Sequence, residues 1–191
     1  LRIYGFNNVQ MPERMYISIS EKEAVSPSKM RKTVAALLTA NGYSEIMNNS
    51  LTKESYYQKF NAEDENRLVR ILNPLSQDLG VLRQTLVYGG LEVVQRNLNR
   101  QTGSIKVFEF GKSYFKEAAS NYREDEQIML LLSGKDIAEN WNGKPQEASF
   151  FTLKGMVEAF LAKLDVQGLE EVVAETTMFG ETLLYKRAEK E

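Results

Sequence analysis

The chain has 191 residues, 42% hydrophobic and 26% charged, with a formal net charge of −2; this is the length and composition of one globular domain able to bury a proper core. It contains no cysteine and no histidine, which excludes a disulfide framework, a thiol nucleophile, a thiolate zinc site and a Ser-His-Asp triad. The acidic balance argues against a strongly electropositive nucleic-acid surface, and no apolar run approaches the ~20 residues that a membrane helix needs.

Residues 1–12 read as a tail ending at Met11-Pro12, and the start at Leu1, with no charged-then-apolar signal pattern, reads as that of a fragment. Glu13 to Ser20 alternates through Met15, Ile17 and Ile19, as a strand does. Ser26-Pro27 then opens a helix: serine can cap the exposed amides, and proline is tolerated in the first turn. Met30, Val34, Leu37, Leu38 and Asn41 form its stripe, and Gly42 supplies a left-handed stop. Lys29, Arg31 and Lys32 read as a solvated face before they read as a phosphate site. Gly42-Tyr43-Ser44-Glu45-Ile46 leads into a strand ending near Leu51, residues 53–67 into a short helix and a polar loop, and Leu68 to Leu72 into a further strand.

Asn73-Pro74 marks a turn, because proline pushes the residue before it out of the helical region. From Arg83 to Arg100, Leu86, Gly90, Val93, Val94 and Leu98 recur at spacings of three and four, which predicts a helix with Arg83 at its start. Lys106 to Phe115 alternates as a strand buried on at least one face. Lys116 to Glu126 is polar and reads as an exposed loop; Ile128 to Leu132 reads as a buried strand that Ser133-Gly134 ends. Asn140 to Pro145 is dense in turn residues, with Trp141 read as a partly buried anchor rather than a ligand platform. Leu153, Met156, Val157, Phe160, Leu161 and Leu164 make an amphipathic helix followed by Gly168, and strands are expected near 170–177 and 182–187. The chain stops at Glu191 without a terminal element, so truncation at the C-terminus is expected.

Few of these residues carry chemistry by spacing alone. Gly89-Gly90 fits neither phosphate-binding glycine pattern, and close packing of a helix on a sheet is the better reading. Arg83 could bind an anion or pair with an acidic neighbour. Glu23, Glu45 and Glu109 give no paired spacing for a metal.

The central stretch nevertheless carries a specific series of motifs: Asn73-Pro74; Leu82-Arg83-Gln84-Thr85-Leu86 with Gly89 soon after; Asn97 with Arg100; and Phe108-Glu109-Phe110-Gly111 before an aromatic strand. In this order they resemble the synthetase-like core of the beta subunit of bacterial phenylalanyl-tRNA synthetase. Leu1 to Asn8 resembles the exit of the winged-helix-like domain that precedes that core, and Leu153-Lys154-Gly155 resembles the start of one of its helices. The resemblance implies residues 1–12 as linker and 13–191 as core: an α+β fold with an antiparallel β-sheet flanked by helices, like a class II aminoacyl-tRNA synthetase without its active site. The helix after Ser26 and the strand after Gly42 would be the counterpart of class II motif 1, which builds the dimer interface.

In class II enzymes the second motif places an arginine, in Phe-Arg-x-Glu, on the ATP alpha-phosphate. Here that position is Lys116, and the glutamate, Glu117, falls one residue early. An ammonium cannot reproduce the planar two-pronged grip of a guanidinium. Nothing before Glu191 resembles the third motif. The resemblance therefore implies no catalytic, cofactor or metal residues in this chain, with Lys116 a degenerate position and Arg83 a candidate anion contact. It implies a cytoplasmic holoenzyme of two alpha and two beta chains that uses ATP and magnesium to attach phenylalanine to its tRNA, the chemistry lying in alpha and the magnesium-linked acids upstream of Leu1. The rival readings are a divergent class II adenylating domain using Arg83 and Lys116, and a nucleic-acid-binding module.

Overall fold

In the computed structural model, residues 2–9, 14, 26–60, 66–118, 121–137, 141–176 and 178–187 are described. The strand expected over Glu13–Ser20 and the residue Glu23 lie outside them, apart from Arg14. Helix α1, Pro27–Ala40, starts with proline in its first turn. The Ser26 backbone is extended and its carbonyl accepts from the amides of Lys29 and Met30, but its hydroxyl makes no capping bond. Gly42, at φ +81°, ends the helix: its amide bonds the Thr39 carbonyl and that of Tyr43 reaches back to Leu38. Of the expected stripe, Val34 and Leu38 are buried, whereas Met30 stays exposed.

The chain then enters β1, Ser44–Glu45, which pairs in parallel with β4, Ser104–Ala118. β4 forms an antiparallel hairpin with β5, Asn121–Ile137, and β6, Gln146–Glu147, closes the order β1-β4-β5-β6. At ~3.3 Å per residue the 15 residues of β4 reach roughly 50 Å. The expected loop over Lys116–Glu126 is a correction: these residues largely extend the hairpin. Their side chains are polar because the extension is solvated, and its register is held by Lys112–Glu124 and Arg123–Glu117 ion pairs. Gly134 does not end β5 either. At φ +80° it sits where β5 changes partner from β4 to β6, so close to Gly103 that any Cβ would strike the Gly103 carbonyl oxygen.

Alternation along β4 divides the core between the two faces of the sheet. Phe108 and Phe110 face α1 and α4, Phe150–Lys163, and pack with Val34, Leu38, Tyr43, Met156 and Phe160. Fully burying a Leu or Phe side chain here contributes about 1.5–3 kcal/mol. On the other face Ile105 and Val107 pack with Val94 of α3, Val87–Leu98, the helix that follows the short α2, Ser55–Phe60. α4 starts with a capping box, Ser149 and Thr152 bonding reciprocally. β7, Leu169–Val173, and β8, Leu183–Arg187, form a separate ribbon at the expected positions.

Four further expectations need correcting. The strand expected from Gly42 to Leu51 is broken into β1 and β2, Leu51–Thr52, which pairs with β3, Val81–Leu82. Between them Asn49 Oδ1 accepts from the Leu51 amide, a local bond, and Asn48 turns to the distant Glu109, and these bonds replace the ladder. Leu68–Leu72 contributes only the bridge of Arg70 to Val81. The Arg83 helix begins four residues late, at Val87: the Arg83 amide is held by Ser50 O and its carbonyl by the Tyr114 amide, which keeps it extended. Trp141 is 96% exposed rather than a partly buried anchor.

Candidate functional site

The exit from β3 turns Arg83 inward beneath β4. Its Nη1 donates to Glu109 Oε1 at 2.7 Å and its Nε to the Lys112 carbonyl at 3.0 Å. Glu109 also accepts from the Asn48 amide at 3.2 Å and from Asn48 Nδ2 at 2.7 Å. The Arg83 and Glu109 side chains are 7% and 1% exposed. Desolvating two charges is costly, and the pair is tolerable because the carboxylate receives three donors and the guanidinium a second acceptor. Gly111 makes room for it, since a Cβ there would collide with Arg83 Nη2 and come within 2.6 Å of Leu86.

Arg83, Asn48 and Gly89 form one wall of an open cavity of about 420 Å³, with Lys53, Asp78 and Arg96 elsewhere on its lining. Glu92, also at the cavity, accepts from the Tyr56 hydroxyl and lies 4.0 Å from Lys53 Nζ. That hydrogen bond, with lesser help from burial, pushes the Tyr56 phenol up to about 12. Burial chiefly does the same to Tyr57, also to about 12, while its oxygen accepts from the Gln84 amide at 2.9 Å. These phenols move away from neutrality, the opposite of what a general base requires.

Lys116 lies elsewhere. It shares the face of Phe108, Phe110 and Tyr114 by alternation and is exposed, whereas Arg83 packs on the face of Glu109 and Gly111. The two candidate cations are thus separated by the sheet. Gly90 packs against β5, where a Cβ would meet Met129 Sδ at 2.7 Å and Leu131 Cδ1 at 3.1 Å. A Cβ at Gly89 would come within 3.2 Å of Asn48. Among the described residues no group of three or more His, Cys, Asp or Glu is placed to hold a metal ion, and no helix is long and apolar enough to cross a membrane. Sequence reasoning missed Asn48, whose bond to Glu109 spans 61 positions and leaves no local pattern.

Against known proteins, the family model described as the phenylalanyl tRNA synthetase beta chain CLM domain matches residues 12–183. The chain is 39% identical over 186 residues to the phenylalanine–tRNA ligase beta subunit of Bacteroides thetaiotaomicron, covering 93% of this chain and 23% of that protein. It is 35% identical over 176 residues to the same subunit of Porphyromonas gingivalis, covering 87% and 22%. The chain therefore spans less than a quarter of the length of these relatives. Among solved structures, a pyrrolysyl tRNA synthetase of Desulfitobacterium hafniense superposes with a TM-score of 0.59 at 21% identity, over 84% of this chain and 52% of that one. This likeness gives the fold: α+β, a largely antiparallel sheet flanked by helices, as in class II tRNA synthetases.

Proposed function

Because the chain belongs to the phenylalanyl tRNA synthetase beta chain CLM domain family, we propose that it serves as a non-catalytic, synthetase-like core that buttresses the alpha subunit of phenylalanine–tRNA ligase. The observation that carries this reading is the state of the two cations. Arg83 is tied to Glu109 inside the protein, and Lys116 stands on the other face of β4, so they cannot grip one phosphate together. In this account ATP, magnesium and the acyl transfer belong to a cytoplasmic holoenzyme of two alpha and two beta chains, and tRNA is met through that assembly. Residues 1–12 are the exit of the preceding domain and 13–191 the core.

The buttressing surface in this reading is α1 with the segment after Gly42. α1 packs on the face of the sheet that holds Phe108 and Tyr43 joins it there, the chain then running on as the edge strand β1; Ala36 and Met47 lie at the surface. Obligate subunit interfaces commonly bury more than about 2,000 Å². Ala36→Glu and Met47→Asp in the full-length beta chain should weaken co-purification with alpha while leaving the circular dichroism of beta unchanged. If charges along this entire surface leave assembly intact in folded variants, the buttress is placed wrongly.

A further inference from the structure

Arg83 presents a guanidinium at the wall of a polar cavity of about 420 Å³, the arrangement from which proteins bind carboxylates and phosphates. That guanidinium is already occupied. Glu109 brings an oxygen to Arg83 Nη1 at 2.7 Å while Asn48 supplies two more donors to the same carboxylate, one of them a backbone amide. The resulting cluster — guanidinium, side-chain amide and main-chain N–H converging on two oxygens — is a complete carboxylate-binding set, filled by a residue of the protein itself. The glutamate comes from the centre of β4, between Phe108 and Phe110, and has almost no exposure.

We propose that Glu109 is an internal anion, a tethered carboxylate that closes a latent anion-binding site formed by Arg83 and Asn48. In the native chain this site takes no external anion, and the neighbouring cavity ends at the Arg83–Asn48 wall. Removing the Glu109 carboxylate leaves the three donors unsatisfied and a space that a small monocarboxylate can fill, opening towards the existing cavity. This goes beyond the buttressing role and does not depend on the identity of the partner.

The test uses Glu109→Ala and the double variant Arg83→Met/Glu109→Ala, with sodium formate as probe and sodium chloride at matched ionic strength as control. Formate should raise the Tm of Glu109→Ala saturably above the chloride value, as a ligand bound only by the folded state must. The parent protein should show no such difference, and the double variant should lose it because the guanidinium is gone. If Glu109→Ala does not fold in chloride, the proposal requires that it refold from urea, by circular dichroism, in formate and not in chloride. Equal behaviour in the two salts, or equal formate stabilisation of the double variant, overturns the proposal.

Discussion

Gly90→Val probes the contact between α3 and the sheet. A Cβ built at Gly90 lies 2.6 Å from Met129 Cε, 2.7 Å from Met129 Sδ and 3.1 Å from Leu131 Cδ1. Valine adds two methyls beyond that atom and places them on a surface where Met129 is itself buried. The thioether end can swing, but the buried pack leaves it few places to go. Overpacking of this kind costs about 1–3 kcal/mol, and the better helix propensity of valine over glycine offsets only about 0.4 kcal/mol of it. A net loss of roughly 0.6–2.6 kcal/mol, at about 2–4 °C per kcal/mol for a chain of this size, lowers Tm by about 1–10 °C. Urea titration and thermal melts measure it directly. Met129→Ala in the Gly90→Val background should recover part of the loss relative to Met129→Ala alone, because the clash is removed. Unchanged stability of Gly90→Val, or a loss that is indifferent to Met129, would refute the packing account.

Glu109→Gln should destabilise through the loss of a buried charged partner, and Arg83→Met alone by about 3–5 kcal/mol, because each leaves the opposite charge uncompensated; a double-mutant cycle in urea should show strong coupling. Gly134→Ala forces a side chain onto a left-handed backbone and into the Gly103 carbonyl, so it should cost more than Gly155→Ala, where nothing lies within 4 Å; denaturant midpoints rank the two. The Tyr57 phenol is raised from 10.0 to about 12 in the folded chain, so its contribution is complete below about pH 10 and is lost as pH rises from there through about 12. Tyr57→Phe should therefore flatten the alkaline fall in stability, while costing about 1–3 kcal/mol at neutral pH because the Gln84 amide loses its acceptor.

Which parts of the fold were legible follows from where each pattern gets its signal. α1 and α4 turn one face to the core, and the centre of β4 is apolar with buried residues on both faces, so their patterns are written in the residues. The first half of β5 is solvated, and Tyr122-Arg123-Glu124-Asp125-Glu126 therefore resembles a loop although it is strand. The start of α3 is not legible in the local sequence because the bonds that hold Arg83 extended come from Ser50 and Tyr114, both remote in sequence. Trp141 failed as an anchor because nothing in a turn-rich segment reports whether a surface will reach it. At the site, Arg83 and Glu109 stand out within the motifs, but their pairing spans 26 positions and the Asn48 bond still more. Arg83 had two partners open to it, an anion or an acidic neighbour, and only the path of the chain brings Glu109 to it.

The most direct measurement of the central claim is ATP–pyrophosphate exchange by the pure chain with phenylalanine and magnesium, free of any alpha subunit. The account predicts no exchange above the blank, for the parent and for Lys116→Ala alike, because Arg83 is held by Glu109 and Lys116 stands on the opposite face of the hairpin. Exchange that requires both ATP and phenylalanine and disappears in Lys116→Ala would contradict it and make this core an adenylating enzyme.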